Sequence, residues 1–62
     1  MKVEDILKRA LEMEKEAIQE YTKMKKDADA ETADLLDFMI SEEKNHMRMI
    51  NDRLKAMRLL KK

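Results

Sequence analysis

The chain has 62 residues, 45% of them charged, a formal net charge of +0, and no cysteine, glycine or proline. A chain this short buries little apolar area alone and needs a staple, a metal or a partner; the lack of cysteine excludes disulfides, thiolate zinc sites and iron–sulfur clusters. Acids and bases are interspersed, which speaks against nucleic-acid binding, and no apolar run suits a membrane span or a signal peptide, so a cytoplasmic protein is expected.

The first predicted helix covers about 3–26. Val3, Leu7, Ala10, Leu11, Ala17, Ile18, Tyr21 and Met24 recur at the three-and-four spacing of a buried helical face. Glu4 and Asp5 fall in its first turn and Lys23, Lys25 and Lys26 in its last, as the helix dipole favours. A weak break follows, Asp27-Ala28-Asp29-Ala30-Glu31-Thr32, with a turn at about 27–29. Asp29 is the predicted N-cap, because its side chain can accept a bond from an early backbone N–H.

The second predicted helix covers about 30–60. Its stripe is Leu36, Met39, Ile40, Met47, Ile50, Leu54 and Met57, flanked by a narrower apolar row of Leu35, Phe38, Met49 and Leu60. The methionines at these spacings read as adaptable core filler. The stretch from Arg53 to Lys62 leans basic, which suits the end of a helix. So short a connection makes the helices antiparallel neighbours, but a hairpin cannot cover both its stripes. A two-fold dimer completing a four-helix bundle is the simplest remedy, and the flanking row leaves room for a higher oligomer.

Each stripe has one acid at its middle. Glu14 interrupts the first and Glu43 the second, and His46, the only histidine, follows Glu43 by three residues on the same face. Glu14 and Glu43 lie equally far from the break, so in an antiparallel hairpin they share a level, roughly 20 Å from the turn at 1.5 Å of rise per residue. The same register sets Ala10 against His46 or Met47, Leu7 against Ile50 and Tyr21 against Leu36. Two copies would gather four carboxylates and two imidazoles in an apolar bundle. Buried like charges repel, and two divalent cations would neutralise them. Oxygen donors with one imidazole per ion suit iron or manganese. The competing reading places Glu14 at a seam edge and packs His46 as a neutral core histidine.

The segments Ala10-Leu11-Glu12-Met13-Glu14-Lys15-Glu16-Ala17-Ile18-Gln19-Glu20-Tyr21 and Glu42-Glu43-Lys44-Asn45-His46 resemble one half of a ferritin-like di-iron domain, most of all its rubrerythrin branch. Such domains carry a glutamate on each of two helices and Glu-x-x-His on each of the other two. The chain is also similar to the short hairpin ferritins packaged inside encapsulin shells, whose site forms between two chains. The resemblance implies that Glu14 is the first-helix metal ligand, Glu43 the bridging carboxylate and His46 the imidazole ligand. It places Tyr21 beside the site and Glu42 where it can accept the imidazole's other N–H. Core packing for Tyr21 and a solvated acid for Glu42 stand as equal alternatives.

The sequence departs from the rubrerythrin pattern in three ways. One half is present instead of two, no cysteine-bound iron domain accompanies it, and the extra glutamate of one rubrerythrin repeat falls at Ala17. The resemblance therefore does not imply a self-contained peroxidase, and no shell-targeting tail is expected.

The expected fold is all-α: residues 1–62 form one ferritin-like half domain, an antiparallel helical hairpin dimerising into a four-helix bundle. The expected function is di-iron binding, two iron ions per dimer with manganese as the other candidate. Ferroxidase or peroxidase-type oxidation of ferrous iron by oxygen or peroxide would follow, at a site shared between two chains and served by an external electron donor or iron source. The alternative is a non-catalytic helical-hairpin dimer, or passive iron or manganese binding.

Overall fold

In the computed structural model, which describes residues 2–60, the chain folds into α1 (Val3–Lys25) and α2 (Ala30–Leu60). Lys61 and Lys62, part of the basic stretch noted above, lie outside the described residues, as does Met1. The charges at the helix ends follow the dipole: Glu4 and Asp5 begin α1, Lys23 and Lys25 end it, Glu31 begins α2 and Arg58 ends it.

A chain without glycine closes helices without a left-handed cap. Among the described residues no backbone φ is positive. Instead α1 tightens as it ends, through hydrogen bonds from the Lys26, Asp27 and Ala28 N–H groups to the Lys23, Met24 and Lys25 carbonyls at 3.2, 3.1 and 3.3 Å. Bonds of this i→i+3 kind satisfy carbonyls that a glycine cap would otherwise cover. At the start of α2, Asp29 Oδ1 accepts the Thr32 N–H at 2.8 Å and the Asp29 carbonyl accepts the Ala33 N–H at 2.8 Å, the geometry of an N-cap.

The hairpin measures 50 × 18 × 11 Å, so it is only about one helix thick. Its seam is correspondingly thin. Leu36 and Leu54, 8% and 4% exposed, are the buried apolar residues. Leu7, Ala10, Leu11, Ala17, Ile18, Tyr21, Met39, Ile40, Met47, Ile50 and Met57 are half-buried, as the two predicted stripes require. Val3 and Met24 are exposed instead, at 55% and 52%; Met24 falls on the flank of the α1 seam and Val3 is the first residue of α1. The flanking row of Leu35, Phe38, Met49 and Leu60 is wholly exposed.

Among the described residues, charged side chains tie the helices at three levels. Lys25 pairs with Asp37 beside the turn. Arg58 Nε donates to Glu4 Oε1 at 3.4 Å near the open end, where Lys8 also approaches Glu4 at 3.9 Å. The third level is the middle. On the outer surface of α1, Arg9 bridges Glu12 and Glu16 at 3.1 and 3.4 Å, and its hydrogen bond to Glu12, with help from Glu16, raises its pKa further. No helix among the described residues is long and apolar enough to cross a membrane.

Candidate metal centre

Glu14 sits near the middle of α1, a turn from Ala10 and Leu11 on one side and from Ala17 and Ile18 on the other. Glu43 occupies the matching place on α2, between Ile40 and Met47, and His46 follows one turn later. All these apolar neighbours are half-buried. The i,i+3 relation puts Glu43 and His46 on adjoining parts of one face. The three side chains converge: one donor atom from each of Glu14, Glu43 and His46 lies within 4.8 Å of the other two. His46 Nδ1 is 3.5 Å from Glu14 Oε2 and 4.0 Å from Glu43 Oε2.

The convergence depends on the direction in which side chains lean. On a helix they tilt toward its N-terminus. In an antiparallel pair, α1 side chains therefore lean toward the open end and α2 side chains toward the turn. Glu14 reaches past the level of Glu43 and His46 reaches back to meet it. The pairs Lys25–Asp37 and Glu4–Arg58 show the same offset.

Burial within the trio is uneven. The side chains of Glu14 and Glu43 are 22% and 20% exposed, that of His46 48%. Glu14 Oε2 is fully shielded from water and has no hydrogen-bond partner, since the imidazole 3.5 Å away does not meet it in hydrogen-bond geometry. A carboxylate oxygen removed from water without a donor is costly, by about 1–3 kcal/mol and more when charged. A cation held there would satisfy such an oxygen. Two donors on one ion, each at about 2.1 Å, are at most about 4.2 Å apart, and both imidazole distances fall inside that limit. The two-carboxylate, one-imidazole donor set fits a hard or borderline divalent ion such as iron or manganese.

A protein-family model described as Rubrerythrin matches residues 5–62 of this chain. The chain belongs to the rubrerythrin family. It is also 60% identical, over all 62 of its residues and 98% of the other chain, to an uncharacterized protein of Archaeoglobus fulgidus. No solved structure matches it.

As a rubrerythrin-type ferritin-like chain of half-domain size, it sets the remaining predicted residues as follows. Tyr21 is half-buried on the Glu14 face, two turns nearer the connection, about 10 Å along the axis. Glu42 is exposed, and among the described residues it makes no hydrogen bond with His46. Among the described residues neither hydrogen-bonds to the trio. The hairpin also encloses no pocket among the described residues. Sequence reasoning missed Glu4, a partly buried acid that joins Lys8 and Arg58. Its place in the first turn explained it too easily, and the available signal was Arg58 on the matching flank of α2.

Proposed function

We propose that two copies of this rubrerythrin-family hairpin pair into a four-helix bundle and hold two iron ions between them, on Glu14, Glu43 and His46 of each chain. The observation that carries the reading is the shielded, partnerless Glu14 Oε2 within reach of a second carboxylate and an imidazole. Pairing is supported by the exposure of Leu35, Phe38 and Met49, at 57%, 62% and 64%, beside a seam in which Leu36 and Leu54 are the buried residues.

The bound iron pair would supply the redox chemistry, yielding electrons to oxygen or peroxide. The protein supplies charge, position and dryness. Glu14 and Glu43 balance the cation charge from opposite helices, and a carboxylate can swing between one-oxygen and two-oxygen contact as that charge changes. His46 would give a directional nitrogen, one turn beyond Glu43 on the same helix. Leu11, Ile18, Ile40 and Ile50, a turn or two away, keep the seam apolar and strengthen every electrostatic contact in it. Tyr21 offers a phenol hydrogen on the same face, toward the turn.

Metal analysis of the purified protein tests this first. Two iron or manganese ions per dimer, with a ferric absorption band when ferrous protein meets air, is the expected result. Ferrous oxidation continuing beyond two ions per dimer identifies catalysis, whereas oxidation that stops there identifies a site that holds metal. Protein that takes up neither ion removes the proposal.

A further inference from the structure

All three donor groups of the trio come from one chain, and they converge before any second copy arrives. Each hairpin can therefore take an ion by itself. Where the trio sits then decides what that ion does. At roughly 100° per residue, Leu35, Phe38, His46 and Met49 lie along one flank of the α2 seam, while Ile6, Met13 and Met24 lie along one flank of the α1 seam. For antiparallel helices these two flanks fall on the same side of the hairpin. Those apolar residues are all about half exposed or more, and His46, with its side chain 48% exposed, stands among them. The face that a second copy would cover thus has two carboxylates and an imidazole near its centre.

Charge complementarity sets the terms on which that face can close. With a neutral imidazole each trio carries two negative charges. Bringing two such faces together gathers four carboxylates in an apolar contact, where like charges repel strongly and water no longer screens them. One divalent cation per trio cancels its charge. The apolar side chains then associate without that opposition.

We infer that metal loading controls assembly. Each hairpin takes one divalent ion on its own Glu14, Glu43 and His46, and this neutralised face is the form that pairs with a second copy. The inference rests on the shared-site reading and adds its regulation: an ion-free hairpin pairs more weakly, with its trio open to solvent on one side. By linkage, the factor by which metal tightens the dimer is the factor by which dimerisation tightens metal. We expect at least about tenfold, within the range typical of coupled sites.

The test is sedimentation over a protein concentration series without oxygen, in chelator and in ferrous iron, on the whole chain. Wild type should pair at least about tenfold more tightly in iron. Glu14→Gln and Glu43→Gln, which remove one charge with little change of shape, should pair more tightly than wild type in chelator and respond less to iron. Sodium chloride should tighten the chelated wild-type dimer by screening the repulsion, a readout that needs no variant. A wild type equally dimeric in chelator and iron overturns the inference; if it still binds two ions per dimer, the shared site survives. Gln variants that keep their helicity but pair no better than wild type in chelator overturn it as well. A wild type that binds one ion per chain and stays monomeric overturns the inference and the shared site together.

Discussion

The seam carries charge across its helices in three places, and the middle is built differently from the ends. Beside the turn Lys25 faces Asp37, and near the open end Arg58 and Lys8 face Glu4. Each end is an acid matched by base. In the middle Glu14 and Glu43 face each other with a histidine for company, and the nearest contact leaves an acid oxygen shielded and unbonded. The ends therefore explain themselves as folding contacts. The middle has no such match among the described residues, and this contrast is what the proposed metal site would account for.

The largest expected effect comes from supplying that cation. Ferrous iron or manganese at a hundred times its dissociation constant stabilises a one-site protein by about 2.7 kcal/mol. For a domain this small that raises Tm by roughly 10 °C or more. Thermal melts followed by circular dichroism should show the rise in wild type and its loss in Glu14→Ala. Without metal the same variant should melt no lower than its parent, because it removes a shielded oxygen that had no partner. A lower apo Tm would mean that Glu14 works as a structural ion-pair partner, like the acids at the ends.

Next in size is the effect of charging the open face. Met49 is 64% exposed in the hairpin, so Met49→Glu should leave helicity unchanged. A charge forced into an apolar contact should cost at least about 1.4 kcal/mol, a tenfold weaker dimer. Sedimentation of the metal-loaded variant checks this. Unchanged assembly would move the dimer contact elsewhere and leave the middle of the seam no more dependent on a partner than its ends.

Neutralising an end should matter less. Arg58 and Glu4 have side chains 59% and 26% exposed, and ion pairs this open contribute about 0.5 kcal/mol, less in salt. Arg58→Ala should lower Tm by a few degrees and leave metal affinity unchanged, as titration calorimetry can show. A matching loss of metal binding would join end and middle into one network.

The same contrast explains how much the sequence revealed. The two stripes, their interruption by Glu14 and Glu43, and the i+3 place of His46 are periodic features, and periodicity fixes which face of a helix a residue occupies. The hairpin and the trio's position on its seam follow from that. The level at which residues meet is less legible. Equal spacing from the turn pairs Glu14 with Glu43, but the opposite lean of the side chains brings His46 to Glu14 as well. The end pairs were hidden for a related reason: Lys25 and Glu4 each had a sufficient local explanation in the helix dipole, and only the packed helices give them Asp37 and Arg58.

The smallest expected effect lies outside the seam, at the cap that aligns α2 with α1. Asp29 is fully exposed, yet Thr32 lowers its pKa from the usual 3.8, through its hydroxyl and through the backbone N–H that the carboxylate accepts at 2.8 Å. A carboxylate whose pKa is depressed by folding adds stability that is complete above its unfolded value and is lost as pH falls through the folded one. Wild type should therefore lose part of its stability as pH falls through about 4, where unfolded aspartate is about half protonated. Asp29→Asn keeps an oxygen that can cap Thr32 but has no proton to gain. Its Tm should stay near that of wild type at neutral pH and fall less steeply in acid, while Asp29→Ala should lie a few degrees lower throughout the neutral range. Identical acid slopes for wild type and Asp29→Asn would remove the cap as the source of the acid sensitivity.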